Sequence, residues 1–308
     1  MDGSQTRPAP DATRLVRAGI ALMLLGIFMF ALNDAMGKWL VASFSVGQVL
    51  LVRSIGAFVV LGPMLARQEH GSLFRLERPG LQALRVVLAT VETALFYAAV
   101  TYLPLADVMT FYMASPIFVA ALSHLLLEER VGWRRWLAIL VGFAGVVIAL
   151  RPSTASLSLP SLYALTGSIL LSGTLILSRL LRGTPDASLV TWQTVGALVF
   201  GAALSLADWR TPTPLDLGAM LLLGAVSCIA HLLLTRSLKL APASTLAPFQ
   251  YTLLLWAVIF GLIFFGDVPD AQILLGSAII VVAGLFIFHR KKVAQETLPP
   301  ELVPRDLP

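Results

Sequence analysis

Residues 92–130 read ETALFYAAVTYLPLADVMTFYMASPIFVAALSHLLLEER. An apolar run ends here, turns within Leu103-Pro104-Leu105, and is followed by a second apolar run broken by Pro116 before the charged exit Glu128-Glu129-Arg130. In water this would be an odd hairpin. In a bilayer an ionisable side chain at hydrocarbon depth faces protein or a water-filled cavity, and irregular backbone is tolerated only where it lines one. The stretch therefore predicts two membrane helices bordering a polar interior, half of a transport pathway.

The rest of the chain supports a bilayer setting. Hydrophobic residues make up 57% of 308 positions and charged residues 13%, with a mean hydropathy of +0.85, too little polar surface for a soluble globule. Apolar runs of about 20 residues, enough to cross roughly 30 Å of hydrocarbon, alternate with short charged connectors. Spans are expected at 18–40, 46–66, 83–103, 105–127, 133–150, 160–181, 187–207, 216–238, 242–265 and 270–288. The expected fold is an all-α membrane protein of ten helices.

Placing the N-terminus in the cytoplasm leaves Lys38, Arg151 and Arg210 in outer connectors and Arg53 within a helix, with every other Lys and Arg inside. That asymmetry puts both termini in the cytoplasm. The expected layout is a mobile tail at 1–17, a five-helix unit at 18–150, a periplasmic connector at 151–159, a second five-helix unit at 160–289 and a mobile tail at 290–308. LAILVGFAGVVIAL from Leu137 aligns with GSAIIVVAGLFIFH from Gly276, which also sets Asp267 opposite Glu128. Five crossings are an odd number, so the second unit is expected upside down relative to the first, with the site near mid-membrane between them.

Several chemistries are excluded. The net charge of +5 is spread singly or in threes, without a basic face for nucleic acid. Cys228 is the only cysteine, and His70, His124, His231 and His289 lack metal-ligand spacing. Nucleotide-binding glycine loops and HExxH or GxSxG motifs are absent. No enzyme activity, metal, cofactor or nucleic-acid partner is expected; the partners are a small molecule and the lipid bilayer. Monomer and homodimer both remain open.

Glu92 lies near the middle of the third helix, where ionised exposure to lipid would cost roughly 3 kcal/mol. It is a candidate for binding a substrate ammonium or exchanging a proton, against the plainer role of a tie to Arg53. Proton coupling and facilitated diffusion are both open. Arg53 is a candidate clamp for a substrate carboxylate, or a lock between helices. Gly19, Gly26 and Asn33 share one face of the first helix, bringing the Asn33 amide inward. Asp34 and Lys38, four residues apart, are expected to pair at the outer helix end, with an outer gate as the sharper alternative. Pro116 and Pro248 are candidate hinges. His231 shares an inward stripe with Gly224, Cys228 and Thr235. Tyr97, Tyr112, Tyr251 and Trp256 lie deeper than the interfacial tryptophans and are candidates for an apolar substrate wall.

Taken together, Asn33 with Lys38 at the end of the first helix, RSIGA from Arg53, YLPLAD from Tyr102, SPIF from Ser115 followed by Glu128-Glu129, and the Gly/Ala-rich fifth and tenth helices resemble the drug/metabolite transporter superfamily, in particular its EamA-type ten-helix carriers. The likeness covers about residues 18–290. It implies a multi-pass bacterial inner-membrane carrier working by alternating access, with cargo in a central cavity. The chain looks most like the YddG-type amino-acid exporters, so export of amino acids, including aromatic or bulky ones, is the leading expectation. Asn33-Asp34 with Lys38-Trp39-Leu40 also resembles carriers that take up riboflavin or S-adenosylmethionine, which is the alternative. A membrane enzyme is less favoured, since Glu128 and Glu129 are adjacent and point to different faces.

Overall fold

The computed structural model describes residues 12–66, 78–115, 117–119, 122, 133–150, 158–181, 183–240 and 247–296. Among the described residues ten α-helices follow in order: α1 Ala12–Val41, α2 Val46–Ala66, α3 Pro79–Val100, α4 Leu105–Tyr112, α5 Trp133–Leu150, α6 Leu159–Leu180, α7 Asp186–Ser205, α8 Pro214–Leu240, α9 Thr252–Phe260 and α10 Ala271–Glu296. A 3₁₀ turn, Ala247–Tyr251, leads into α9 and a π turn, Gly261–Phe265, leads out, so the ninth span is composite. Among the described residues six helices, α1, α2, α3, α6, α7 and α8, are long and apolar enough to cross a membrane, and no strand is present. The chain is an all-α multi-pass membrane protein.

Local chemistry sets the helix ends. Pro79 occupies the first turn of α3, where a missing N–H costs nothing. Before α8, the Thr213 N–H and hydroxyl both donate to Asp216 Oδ2, at 3.1 and 2.6 Å, while the Asp216 N–H donates to Thr213 Oγ1 at 3.3 Å. This reciprocal cap satisfies helix-end donors that water would otherwise have to solvate. The α3–α4 turn is tight: the Leu103 N–H bonds back to the Ala99 carbonyl at 2.9 Å. Gly266, at φ 67°, takes the left-handed conformation that stops the π turn.

Packing joins the first five helices to the last five. α1 lies against α8 and α9, α2 against α7 and α8, α3 against α6 and α7, α4 against α6 and α9, and α5 against α10. Exchanging the two sets maps this scheme onto itself: α1–α8 becomes α6–α3, and α2–α8 becomes α7–α3. Gly47 sits against Leu204 while Gly201 sits against Leu51, so α2 and α7 run antiparallel; Gly142 against Ala283 and Gly145 against Ile279 show the same for α5 and α10.

α2 and α8 meet backbone to backbone. A Cβ at Gly224 would fall on the Arg53 carbonyl, and one at Gly56 on the Leu221 backbone, so only glycine lets these backbones meet. Gly224→Ala is expected to lower stability by about 1–3 kcal/mol, the usual range for overpacking. Gly218→Ala, where nothing lies within 4 Å, should change nothing. Thermal unfolding in detergent compares the two.

Two boundaries differ from those the apolar runs suggest. α3 starts at Pro79 rather than at 83, because a proline begins a helix without needing apolar neighbours, and this places Arg85 almost two turns into the helix rather than in its first turn. α1 starts at Ala12 and α10 continues to Glu296, so helix extends into both segments expected as tails.

Candidate functional site

Arg53, two turns into α2, is the hub of the interior. Its Nη1 donates to the Tyr97 hydroxyl of α3 at 2.5 Å and its Nη2 to Ser227 Oγ of α8 at 2.7 Å. The guanidinium also lies 5.4 Å from the Tyr97 ring centroid, within cation–π range. Tyr97 is fully buried, and its ring fits because the facing residue on α1 is Gly37: a Cβ there would collide with it.

Two carboxylates share this interior. Asp34 of α1 is 9% exposed and accepts a 3.1 Å bond from the Asn33 amide. Glu92 of α3 accepts from Thr93 Oγ1 at 3.1 Å, and the Tyr112 hydroxyl donates to its backbone carbonyl at 3.5 Å. Asp34, Glu92 and Arg53 all lie within electrostatic reach of one another. Tyr112 is admitted by Gly167 of α6, as Tyr97 is by Gly37.

Aromatic rings surround the charges. Phe96 lies edge-on to Tyr97 and Tyr112, with centroids 5.6 and 5.4 Å away. Phe28, Trp256 and Phe260 form a second group at 5.0 to 5.9 Å. His231 pairs its Nδ1 with the Ser227 carbonyl at 2.9 Å and presents its ring to Phe30, 4.6 Å away.

The expected pairing of Asp34 with Lys38 is not what forms. Lys38 donates to Asp267 Oδ2 at 2.5 Å and to the Leu103 carbonyl at 3.3 Å, and sits 4.6 Å above the Phe265 ring. Asp34 lies within electrostatic reach of the half-buried Arg53, whereas Lys38, one turn on, reaches the loops. Lys38 thus fastens the end of α1 to the α3–α4 and α9–α10 turns.

The other expected residues are dispersed. Tyr251, at the end of the 3₁₀ turn, lines a separate pocket of about 250 Å³ with Thr110 and Ser277, between α4, α9 and α10. Pro248 lies in that 3₁₀ turn, and Pro116 lies outside the described residues. Sequence reading passed over Ser227, although it stands four residues before His231, and over Asp267 as a partner for Lys38. It also counted Arg85 among the connectors. Arg85 is 8% exposed, donating to Ser178 Oγ at 2.8 Å, the Leu189 carbonyl at 3.2 Å and Gln193 Oε1 at 3.2 Å. Among the described residues no group of three or more His, Cys, Asp or Glu is placed to hold a metal.

A cluster of charges and rings, held between interchangeable sets of membrane helices, suits binding and passage of a solute. The chain belongs to the EamA-like transporter family, which it matches over residues 17–151 and 158–289, as two copies of the domain. It is a transporter of small metabolites, not an enzyme. It is similar to the S-adenosylmethionine uptake transporter of Rickettsia bellii, 26% identical over 285 residues, covering 92% of this chain and 98% of that one. The riboflavin transporter of Vibrio cholerae is 30% identical over 285 residues, covering 90% and 96%. The pseudopaline exporter of Pseudomonas aeruginosa is 27% identical over 282 residues, covering 90% and 98%. A solved crystal structure superposes with a TM-score of 0.62 at 16% identity, over 93% of this chain and 99% of the other, a likeness of fold alone.

Proposed function

We propose that this carrier takes up a metabolite built on a flat heteroaromatic ring, of the S-adenosylmethionine or riboflavin kind, instead of exporting amino acids. The observation that carries this reading is the charge of the interior, where Asp34 and Glu92 face one guanidinium. Tyr97 and Ser227 take two of the five N–H donors of Arg53 and hold it between α3 and α8. An amino-acid cargo would bring a further carboxylate into this set, whereas rings and two carboxylates against one guanidinium suit a cationic heteroaromatic. That surplus of negative charge favours a cation such as the sulfonium of S-adenosylmethionine over neutral riboflavin. The relatives named for S-adenosylmethionine and riboflavin support the same class, and the former are uptake carriers; amino-acid export has no such support among the relatives described above.

The transport cycle in this reading is alternating access between inverted halves. The antiparallel α2–α7 and α5–α10 pairs, which hold equivalent places in the two sets, support the inversion. With the N-terminus in the cytoplasm of a bacterium, the Lys38–Asp267 pair lies at the outer end, and in this reading it breaks when that end opens. Cargo would enter when this end opens, settle among Asp34, Arg53 and Glu92, and leave toward the chain termini.

The test is counterflow into liposomes holding the purified protein and preloaded with S-adenosylmethionine, riboflavin or a mixture of amino acids. Accelerated exchange of labelled S-adenosylmethionine, with weaker or no exchange of amino acids, is the expected result. Exchange of riboflavin alone would remove the preference for a cation, and exchange of amino acids alone would overturn the cargo class.

A further inference from the structure

The groove between α3 and α7 lies outside the Arg53 cluster, and we propose that it holds one acyl chain of an anionic glycerophospholipid, with the headgroup at the Pro79 end. The groove has a volume of about 650 Å³ and is lined by Gln82, Val86 and Thr90 on α3 and by Trp192, Val195 and Val199 on α7. It opens outward: Val87 and Val199, on its two rims, are 56% and 62% exposed. In a membrane-spanning bundle, a slot open at hydrocarbon depth is bathed by lipid.

Its length selects the occupant. The two helices run in the same direction here, with Gly196 against Val86 and Thr90, and Arg85 against Leu189 and Gln193. From Pro79 to Val91 the groove follows α3 for about 18 Å at 1.5 Å per residue. That is close to half of a hydrocarbon core of roughly 30 Å. The slot therefore matches one leaflet's chain, starting where α3 enters the membrane.

Polar groups mark the entrance. Gln82 is 3% exposed, and neither its amide nitrogen nor its amide oxygen has a partner. Thr90, deeper along the same wall, is 5% exposed with an unpartnered hydroxyl. Unpaired polar atoms in apolar walls are rare in finished structures. Rotation of the Gln82 side chain brings its amide N–H toward an acceptor in the slot, and the ester carbonyls of a glycerolipid lie at that depth. Arg85, three residues further along α3 and behind the groove wall, where it bonds to Ser178, Leu189 and Gln193, supplies charge. All three of its hydrogen bonds go to neutral oxygens, and among the described residues no carboxylate pairs with it. In surroundings of low dielectric an uncompensated cation acts over several ångströms, so the entrance attracts an anionic headgroup.

Native mass spectrometry of the full chain, delipidated and then offered phosphatidylglycerol or phosphatidylcholine with identical acyl chains, tests this. One phosphatidylglycerol is expected to be retained about fivefold better than phosphatidylcholine, the effect of a single basic residue near a lipid surface. Val199→Trp fills the slot from its exposed rim without touching Arg85 and should abolish retention of both lipids, and Gln82→Leu should weaken both. Arg85→Gln should erase the difference between them. If that variant fails to fold, the salt dependence of phosphatidylglycerol retention by the wild type replaces it, and retention that is independent of salt overturns the headgroup assignment. Equal retention of the two lipids by wild type also overturns it. Undiminished retention in Val199→Trp overturns the groove, as would a wild-type dimer that the same substitution disperses, which would make a second copy the occupant.

Discussion

Glu92→Gln is expected to reduce exchange of S-adenosylmethionine by roughly 10- to 100-fold, the loss that accompanies a hydrogen bond to a charged group worth about 1.5–3 kcal/mol. Asp34→Asn should match it. Both substitutions keep the shape of the side chain and an oxygen that can accept the bonds now donated by Thr93 and Asn33, so the helices should still assemble. What disappears is negative charge facing Arg53. With Glu92 neutral, one carboxylate balances one guanidinium and the surplus that attracts a cation is gone. Exchange of riboflavin, which carries no charge, should then fall far less than exchange of S-adenosylmethionine in the same liposomes. That split separates a cargo contact from a structural tie: if the carboxylates serve only to hold Arg53, both cargoes fall together with thermal stability. Unchanged exchange of both cargoes in both variants would remove Asp34 and Glu92 from the pathway.

The parts of this arrangement that sequence discloses are those written in short-range pattern. Apolar runs of membrane length place nearly every helix, and Leu103-Pro104-Leu105 marks a turn because proline cannot continue α3 and the flanking runs leave no room for a loop. Glu92 is conspicuous because an acid at that depth needs a reason. Tyr97 is identified as deep by counting from the helix ends, but its bond to Arg53 depends on Gly37 leaving space on another helix, which no local pattern records. Arg85 was misplaced for a related reason. Charged and polar residues open α3, so the apolar run begins after the helix does, and a buried arginine satisfied by hydroxyl, amide and carbonyl groups looks like a connector residue. Lys38 shows the limit most plainly. A carboxylate four residues before it on the same helix is the natural partner by spacing, yet the acid it reaches is 229 residues away. Only the fold brings the α9–α10 turn to the end of α1.

That long-range pair sets the other large expected effect. Asp267→Asn removes the charge opposing Lys38 while leaving its bond to the Leu103 carbonyl, and should loosen the outer end without unfolding α1. The two side chains are 14% and 23% exposed, so the bond is charge-assisted and partly desolvated, worth about 1.5–3 kcal/mol. If the pair forms only in the state closed at this end, losing it moves the closed-to-open ratio by the same free energy, roughly 10- to 100-fold. Ala35→Cys, on the buried face of α1 one turn below Lys38, reports the opening once Cys228 has been replaced by Ser. An impermeant maleimide applied to intact cells should label Ala35→Cys slowly alone and faster by that factor with Asp267→Asn. Exchanging the charges, Lys38→Asp with Asp267→Lys, should return labelling toward the slow rate, because the attraction between α1 and the α9–α10 turn is the same with its ends reversed. Labelling that ignores Asp267→Asn would show that helix packing alone holds this end shut. Labelling that rises and is not rescued by the exchange would show that closure also needs the Leu103 carbonyl and Phe265 contacts, which Lys38 alone can make.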